Sequence, residues 1–279
     1  MNRRFHNLVT MALGVCWLEV AAAAWGHGDE HEAIEKLSER IKASPESARL
    51  PLERAALYAR HGEFALALQD LEKAEALDEN LDAVRALRAR IWWKMGKPTV
   101  ARALQETYLQ KHPEDDQVRF DYTDTLAALG EIPAALRELD ALVARNEHPS
   151  PDVVARRIEL TELHGADGAA QALDWLSGFL KSHPLPVFEE SALRFEIKLG
   201  RISEALQRMD RMISGSARPA ALLVRKAELL DSQQMTTLAK ESAQAATAAL
   251  DRLPDALRLA DASQLLRSRI EKILSPPNP

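Results

Sequence analysis

A chain of 279 residues, 46% hydrophobic and 28% charged, is long enough for one extended or two compact domains and apolar enough to bury a core. Only 5% of residues are aromatic and 11 are Gly, so the apolar share is mostly Ala and Leu, which lose little side-chain entropy in a helix. The formal charge of −6 provides no general attraction to phosphate backbones or anionic membranes, which argues against a nucleic-acid partner.

The opening stretch, MNRRFHNLVTMALGVCWLEVAAAAWG (residues 1–26), has Arg3 and Arg4, then an apolar run from Leu8 to Leu18, then small residues. That is the layout of a secretory signal. The run is about half the ~20 residues needed to span a bilayer, and Glu19 closes it, so a removable signal is favoured over a retained anchor. The single cysteine, Cys16, follows Val15 rather than a small residue, which disfavours lipidation. Once the signal is removed, the mature chain has no thiol and depends on no disulfide, and it is expected to be periplasmic or secreted, with no stable membrane insertion.

Two histidines and three carboxylates follow at HGDEHEAI, residues 27–34. Cleavage after Ala24 would leave a free amine, two backbone amides and the His27 imidazole, a planar nitrogen set suited to Cu(II) or Ni(II). Cleavage after Gly26 would make His27 terminal, with His31 one helical turn away. The plainer reading is a helix start whose Asp29, Glu30 and Glu32 favour the positive end of the dipole. Apart from this possible copper or nickel site at His27 and His31, no cofactor is expected.

Residues 27–47 read as a leading helix, with Ile34, Leu37 and Ile41 on one face and Pro45 at its end. A repeat then begins. Gly62, Gly96 and Gly130 recur in steps of 34, as do Ala67, Ala101 and Ala135, and Ala55, Ala89 and Thr123 keep the same step. Each unit reads as a helical hairpin: an amphipathic helix ending near the Gly, where a left-handed turn is tolerated, then a second helix such as EFALALQDLEKAEAL. Later units drift. One keeps Ala172, Leu173, Leu176 and Phe179; the next restores Gly200 with Ala205 five residues on; the last has Ala227, Ala239 and Ala246 in register but no Gly at its turn. The units fall near residues 48–81, 82–115, 116–149, 152–185, 186–218 and 220–252. Pro254 opens a predicted closing helix over 253–274, and SPPNP (275–279) reads as a disordered tail.

These small-residue positions, the turn Gly and the Pro or acidic residue at the repeat end resemble the tetratricopeptide repeat (TPR) family. The resemblance implies an all-α, right-handed superhelical solenoid of about six hairpins over residues 48–252, closed by a helix at each end. It further implies a concave groove lined by the first helices, which holds a peptide or partner helix. By register, the groove residues are Arg60, Arg90, Trp93, Lys94, Phe120, Asp121, Asp124, Arg157, Arg194 and Lys198. Such a basic and aromatic lining suits an acidic protein segment, with Trp93 and Phe120 as apolar anchors. The family's carboxylate clamp of paired Lys and Asn is absent, because its positions carry Leu52, Ala56, Ala86 and Arg90.

Trp92 shares the register of Tyr58 and reads as packing. His61, His112, His148, His164 and His183 fall at helix ends or before a Pro, where a His pairs with the dipole or a free carbonyl. No phosphate loop, zinc helix or nucleophile set stands out, so no catalytic residue is assigned. The expected function is that of a non-enzymatic exported scaffold for protein partners; the alternative is a metal-handling protein using the amino-terminal histidines.

Overall fold

The computed structural model describes residues 31–275, and all regular structure among them is helical. The signal reading, His27 and the tail beyond Ser275 lie outside the described residues. Among the described residues no helix is long and apolar enough to cross a membrane.

Helix α1 covers residues 31–43 and buries Ile34 and Leu37, as the leading-helix periodicity requires. Three hairpins follow: α2 (Arg49–Arg60) with α3 (Phe64–Leu77), α4 (Ala83–Lys94) with α5 (Pro98–Lys111), and α6 (Asp116–Ala128) with α7 (Ile132–Arg145). Next come α8 (Pro151–Leu163), α9 (Gly168–Ser182), α10 (Pro186–Lys198), α11 (Ile202–Ser214), α12 (Ala220–Ser232) and α13 (Thr236–Asp251). The chain forms two compact units that divide inside α8, between Arg157 and Ile158.

The spacing of 34 marks one structural device. Gly62, Gly96, Gly130 and Gly200 have φ of +79°, +71°, +77° and +69°. In each case the next residue's N–H returns to the carbonyl four positions before the Gly: Glu63 to Tyr58, Lys97 to Trp92, Glu131 to Leu126 and Arg201 to Glu196, all at 2.8–2.9 Å. This left-handed cap satisfies an orphan carbonyl and reverses the chain. The sixth turn makes the same bond, Met235 to Leu230 at 2.9 Å, although Gln234 holds the Gly position at φ +61°. Glycine's absence there changed the residue and kept the geometry.

The small residues serve close approach. Ala55, Ala67 and Ala74 have no accessible surface, and with Leu71, Val84 and Ile91 they form one core of the first unit. In the second unit, Leu193, Ala205 and Met209 form one cluster, while Val224, Ala227, Leu230, Ala239, Ala243, Ala246 and Leu250 form another. Gly168, which has no place in the repeat register, opens α9 so tightly that a Cβ would lie 2.4 Å from the carbonyl oxygens of Thr161 and Glu162.

The closing helix is the main departure from expectation. It is broken into α14 (Asp255–Arg258) and α15 (Asp261–Leu274), with Pro254 capping the first piece. Extended backbone at Ala260 and a 2.7 Å bond from Ser263 Oγ to the Leu257 carbonyl redirect the chain. Ile270 and Ile273 thereby join the α12–α13 core, and that burial outweighs the continuous-helix tendency of the local sequence.

Candidate functional site

The first helices of the second and third hairpins, α4 and α6, lie against one another with α5 behind them. Between them is a pocket of about 150 Å³ lined by Arg90, Trp93, Lys94, Gln105, Asp121 and Asp124. Five of the ten residues placed in the groove by register therefore meet in one spot. Helical spacing explains it: Arg90, Trp93 and Lys94 stand three and four apart on α4, and Asp121 and Asp124 three apart on α6, so each set shares a face.

The charges there are not the free basic lining that the residue types suggested. Arg90 donates to Asp121 Oδ2 at 2.7 Å, with Gln117 adding a 3.0 Å bond to Oδ1. Arg156 of α8 donates to Asp124 at 2.8 Å. Lys94 makes no ion pair among the described residues, and Trp93 keeps 37% of its surface exposed. The lining is thus a neutralised set of donors and acceptors beside one free ammonium and an indole.

Gln105 is the member that the sequence reading missed. It is 1% exposed, and its Oε1 has no hydrogen-bond partner. A signal was present in the register. Four residues after the fully buried Ala of each second helix stand Leu71, Leu139, Leu176, Met209 and Ala243, all without accessible surface, whereas the position after Ala101 carries Gln105.

The remaining groove residues are elsewhere. Arg60 is exposed at the end of α2. Phe120 is half-buried and lines a separate cavity of about 420 Å³ with Asp116, Leu142, Asn146, His148 and Asp152. The Arg157 side chain is only 12% exposed and turns back to Asp140 on α7 at 2.9 Å, an intramolecular engagement that accounts for its charge. In the second unit, Arg194 and Lys198 are exposed and share Glu162 at 3.2 and 2.7 Å; the Lys198 hydrogen bond holds that carboxyl below the usual range.

Of the helix-end histidines, His61, His112 and His183 occupy carboxyl caps. His112 is joined to Asp82 at 3.0 Å across one hairpin, with Lys111 adding a 3.1 Å contact to the same carboxylate. These bonds, His112 foremost, lower the Asp82 pKa to about 2. Trp92 is half-buried under the Lys97 ammonium, 4.6 Å from its ring. His31 stacks on His61 with centroids 5.3 Å apart, and among the described residues no group of three His, Cys, Asp or Glu side chains could hold a metal ion.

Comparison with known proteins bears on this geometry. A tetratricopeptide repeat model matches residues 93–155, a span that contains every pocket residue except Arg90. No curated protein matches the sequence. The crystal structure of the C-terminal part of a TPR repeat-containing protein from Cytophaga hutchinsonii is similar at TM-score 0.61 and 15% identity, over 87% of this chain and 99% of that one. A tetratricopeptide repeat protein from Parabacteroides merdae aligns at TM-score 0.50 and 15% identity, over 92% of this chain and 97% of its own. A structure of Naa15/Naa10 bound to HypK-THB aligns at TM-score 0.51 and 14% identity, over 92% of this chain but only 39% of that one. Residues 93–155 thus carry a tetratricopeptide repeat, set in a chain whose all-helical fold is that of tetratricopeptide repeat proteins.

Proposed function

We propose that this protein is a non-enzymatic, exported scaffold that binds a protein or peptide partner on the face made by α4 and α6. The observation that supports the reading is the convergence of Arg90, Trp93, Lys94, Asp121 and Asp124 on one pocket. An exposed indole flanked by long cationic stems and carboxylates provides apolar contact area with directional polar groups, the composition of a binding hot spot. The likeness to solved TPR structures agrees with it, and a further similar structure is that of Naa15/Naa10 bound to HypK-THB. Export rests on the signal-like residues 1–26.

The test is capture from envelope extract by the immobilised mature protein, alongside Trp93→Ala and Arg90→Ala. Each variant is expected to retain its fold by circular dichroism and to lose roughly tenfold or more in capture of the same partner. Undiminished capture by both variants would place the binding surface elsewhere. Intact mass of the protein recovered from the envelope should show cleavage between Ala24 and His27, and an uncleaved chain would remove the export reading.

A further inference from the structure

Gln105 presents a problem that the fold does not solve internally. Its position is an apolar one in the other five hairpins, filled by Leu71, Leu139, Leu176, Met209 and Ala243. A carboxamide carries two acceptor sites and two donors, and burying it without partners forfeits its hydration. Here the amide is 1% exposed, its Oε1 is unpartnered, and it forms part of the pocket wall beside Trp93.

The chemistry of a matching group follows from the lining. A carboxylate would accept from Lys94 but leave the Gln105 carbonyl oxygen, Oε1, without a donor. An ammonium or guanidinium would satisfy that carbonyl but face Lys94 and Arg90. The pocket carboxylates already hold guanidinium partners, Asp121 with Arg90 and Asp124 with Arg156, so the two demands left open are an acceptor for the Lys94 ammonium and a donor for Gln105 Oε1. A neutral planar group with one donor edge and one acceptor edge fits both demands: its N–H₂ donates to Gln105 Oε1, and its C=O accepts from Lys94. At about 150 Å³ the pocket has half the volume at the lower end of small-molecule sites, which leaves room for one side chain.

We infer that the Trp93–Gln105 pocket is a specificity pocket for a single carboxamide side chain, Gln or Asn, of the partner segment. The inference rests on the binding face proposed above and names what that face reads.

The test titrates ¹⁵N-labelled protein with four capped amino acids, N-acetyl-Gln, N-acetyl-Glu, N-acetyl-Lys and N-acetyl-Ala N-methylamides. The readouts are the Gln105 side-chain N–H₂ and the Trp93 indole N–H, the latter assigned by its loss in Trp93→Phe. The Gln probe should shift both signals saturably and bind at least about fivefold tighter than the other three. Gln105→Leu, which restores the residue type of Leu71 and Leu139, should keep or raise Tm and abolish the Gln preference. Equal binding of the Ala probe would mean that only backbone amide is recognised; tighter binding of the Glu or Lys probe would mean that charge is read; no saturable shift would mean an unused pocket. Each of these overturns the proposal. Partner capture that is lost in Trp93→Ala but unchanged in Gln105→Leu would overturn the carboxamide pocket and leave the binding face standing.

Discussion

The α6–α7 and α10–α11 hairpins carry the same ion pair with its charges exchanged. Counting from the turn glycines Gly130 and Gly200, the position eleven before is Arg119 in one hairpin and Glu189 in the other, and the position eight after is Glu138 and Arg208. In both hairpins the two side chains bond across the helix interface. The sixth hairpin places Leu223 and Ser242 at these positions, and Ser242 Oγ donates to the Leu223 carbonyl at 3.0 Å. In these three hairpins the seam carries a satisfied polar contact at this height whose sign is not fixed, whereas the second hairpin places Arg85 and Leu104 there and turns Arg85 to Asp82 instead. The two hairpins differ four residues before the Gly, where the third hairpin has buried Leu126 and the fifth has Glu196, 4% exposed and accepting three hydrogen bonds from Arg208 at 2.8–3.0 Å. A partly buried pair in one hairpin has gained a third, buried member, Glu196, in the other.

The largest expected effect tests that difference. Arg208→Leu strands the Glu196 carboxylate and should cost about 3 kcal/mol or more by denaturant unfolding. Arg119→Leu, which leaves the partly hydrated Glu138, should cost about 1 kcal/mol. Exchanging both charges should be tolerated within about 1 kcal/mol as Arg119→Glu with Glu138→Arg. The same exchange as Glu189→Arg with Arg208→Glu sets carboxylates at 196 and 208 against each other and should be at least as damaging as Arg208→Leu. Adding Glu196→Leu, the residue type of Leu126, should recover most of the loss; no recovery would show that the triad is not the cause.

The turns give a second contrast of intermediate size. Gly130→Ala adds a Cβ that meets no atom within 4 Å, so its expected cost of about 1 kcal/mol comes from the positive φ alone. Gln234→Gly removes the same strain and should stabilise by about 0.5–1 kcal/mol, less the entropy returned to the unfolded chain. A destabilised Gln234→Gly variant would mean that side-chain contacts of Gln234 outweigh its backbone cost.

The smallest effect concerns pH. Asp82 is held down to about 2, chiefly by the His112 bond and then by Lys111, so its contribution is complete above the ordinary carboxylate range near 3.8 and disappears as the pH falls through 2. Asp82→Asn should lower Tm slightly at pH 7, and the gap from the unsubstituted protein should close between pH 4 and pH 2. A gap independent of pH would assign the effect to shape rather than charge.

Much of the fold was legible in the residues, for an identifiable reason. Ala55, Ala67 and Gly62 occupy positions where only a small side chain or a left-handed backbone fits, so their spacing of 34 is imposed by geometry. The meeting of Trp93 with Asp121 and Asp124 followed from the same register. Gln105 breaks the apolar column of Leu71 and Leu139 that the register shows, but its burial and its missing partner depend on neighbours distant in the chain. The pairing of Arg90, Arg156 and Arg157 was equally hidden, since composition lists charges without saying which ones face each other. The break at Ala260 was hidden too, because DALRLADASQLL is helical throughout by propensity.

By itself the sequence determined the repeat: helical hairpins, their turns, and the face on which each residue stands. These follow from local terms, namely backbone sterics, helical period and the volume allowed where two helices touch. The tertiary structure decided which charges remain available, where a closing helix bends to reach its core, and that an unpartnered carboxamide stands in the wall of a pocket. Those outcomes depend on side chains that are distant in the chain and adjacent in space, and their energies are set by burial and partner geometry.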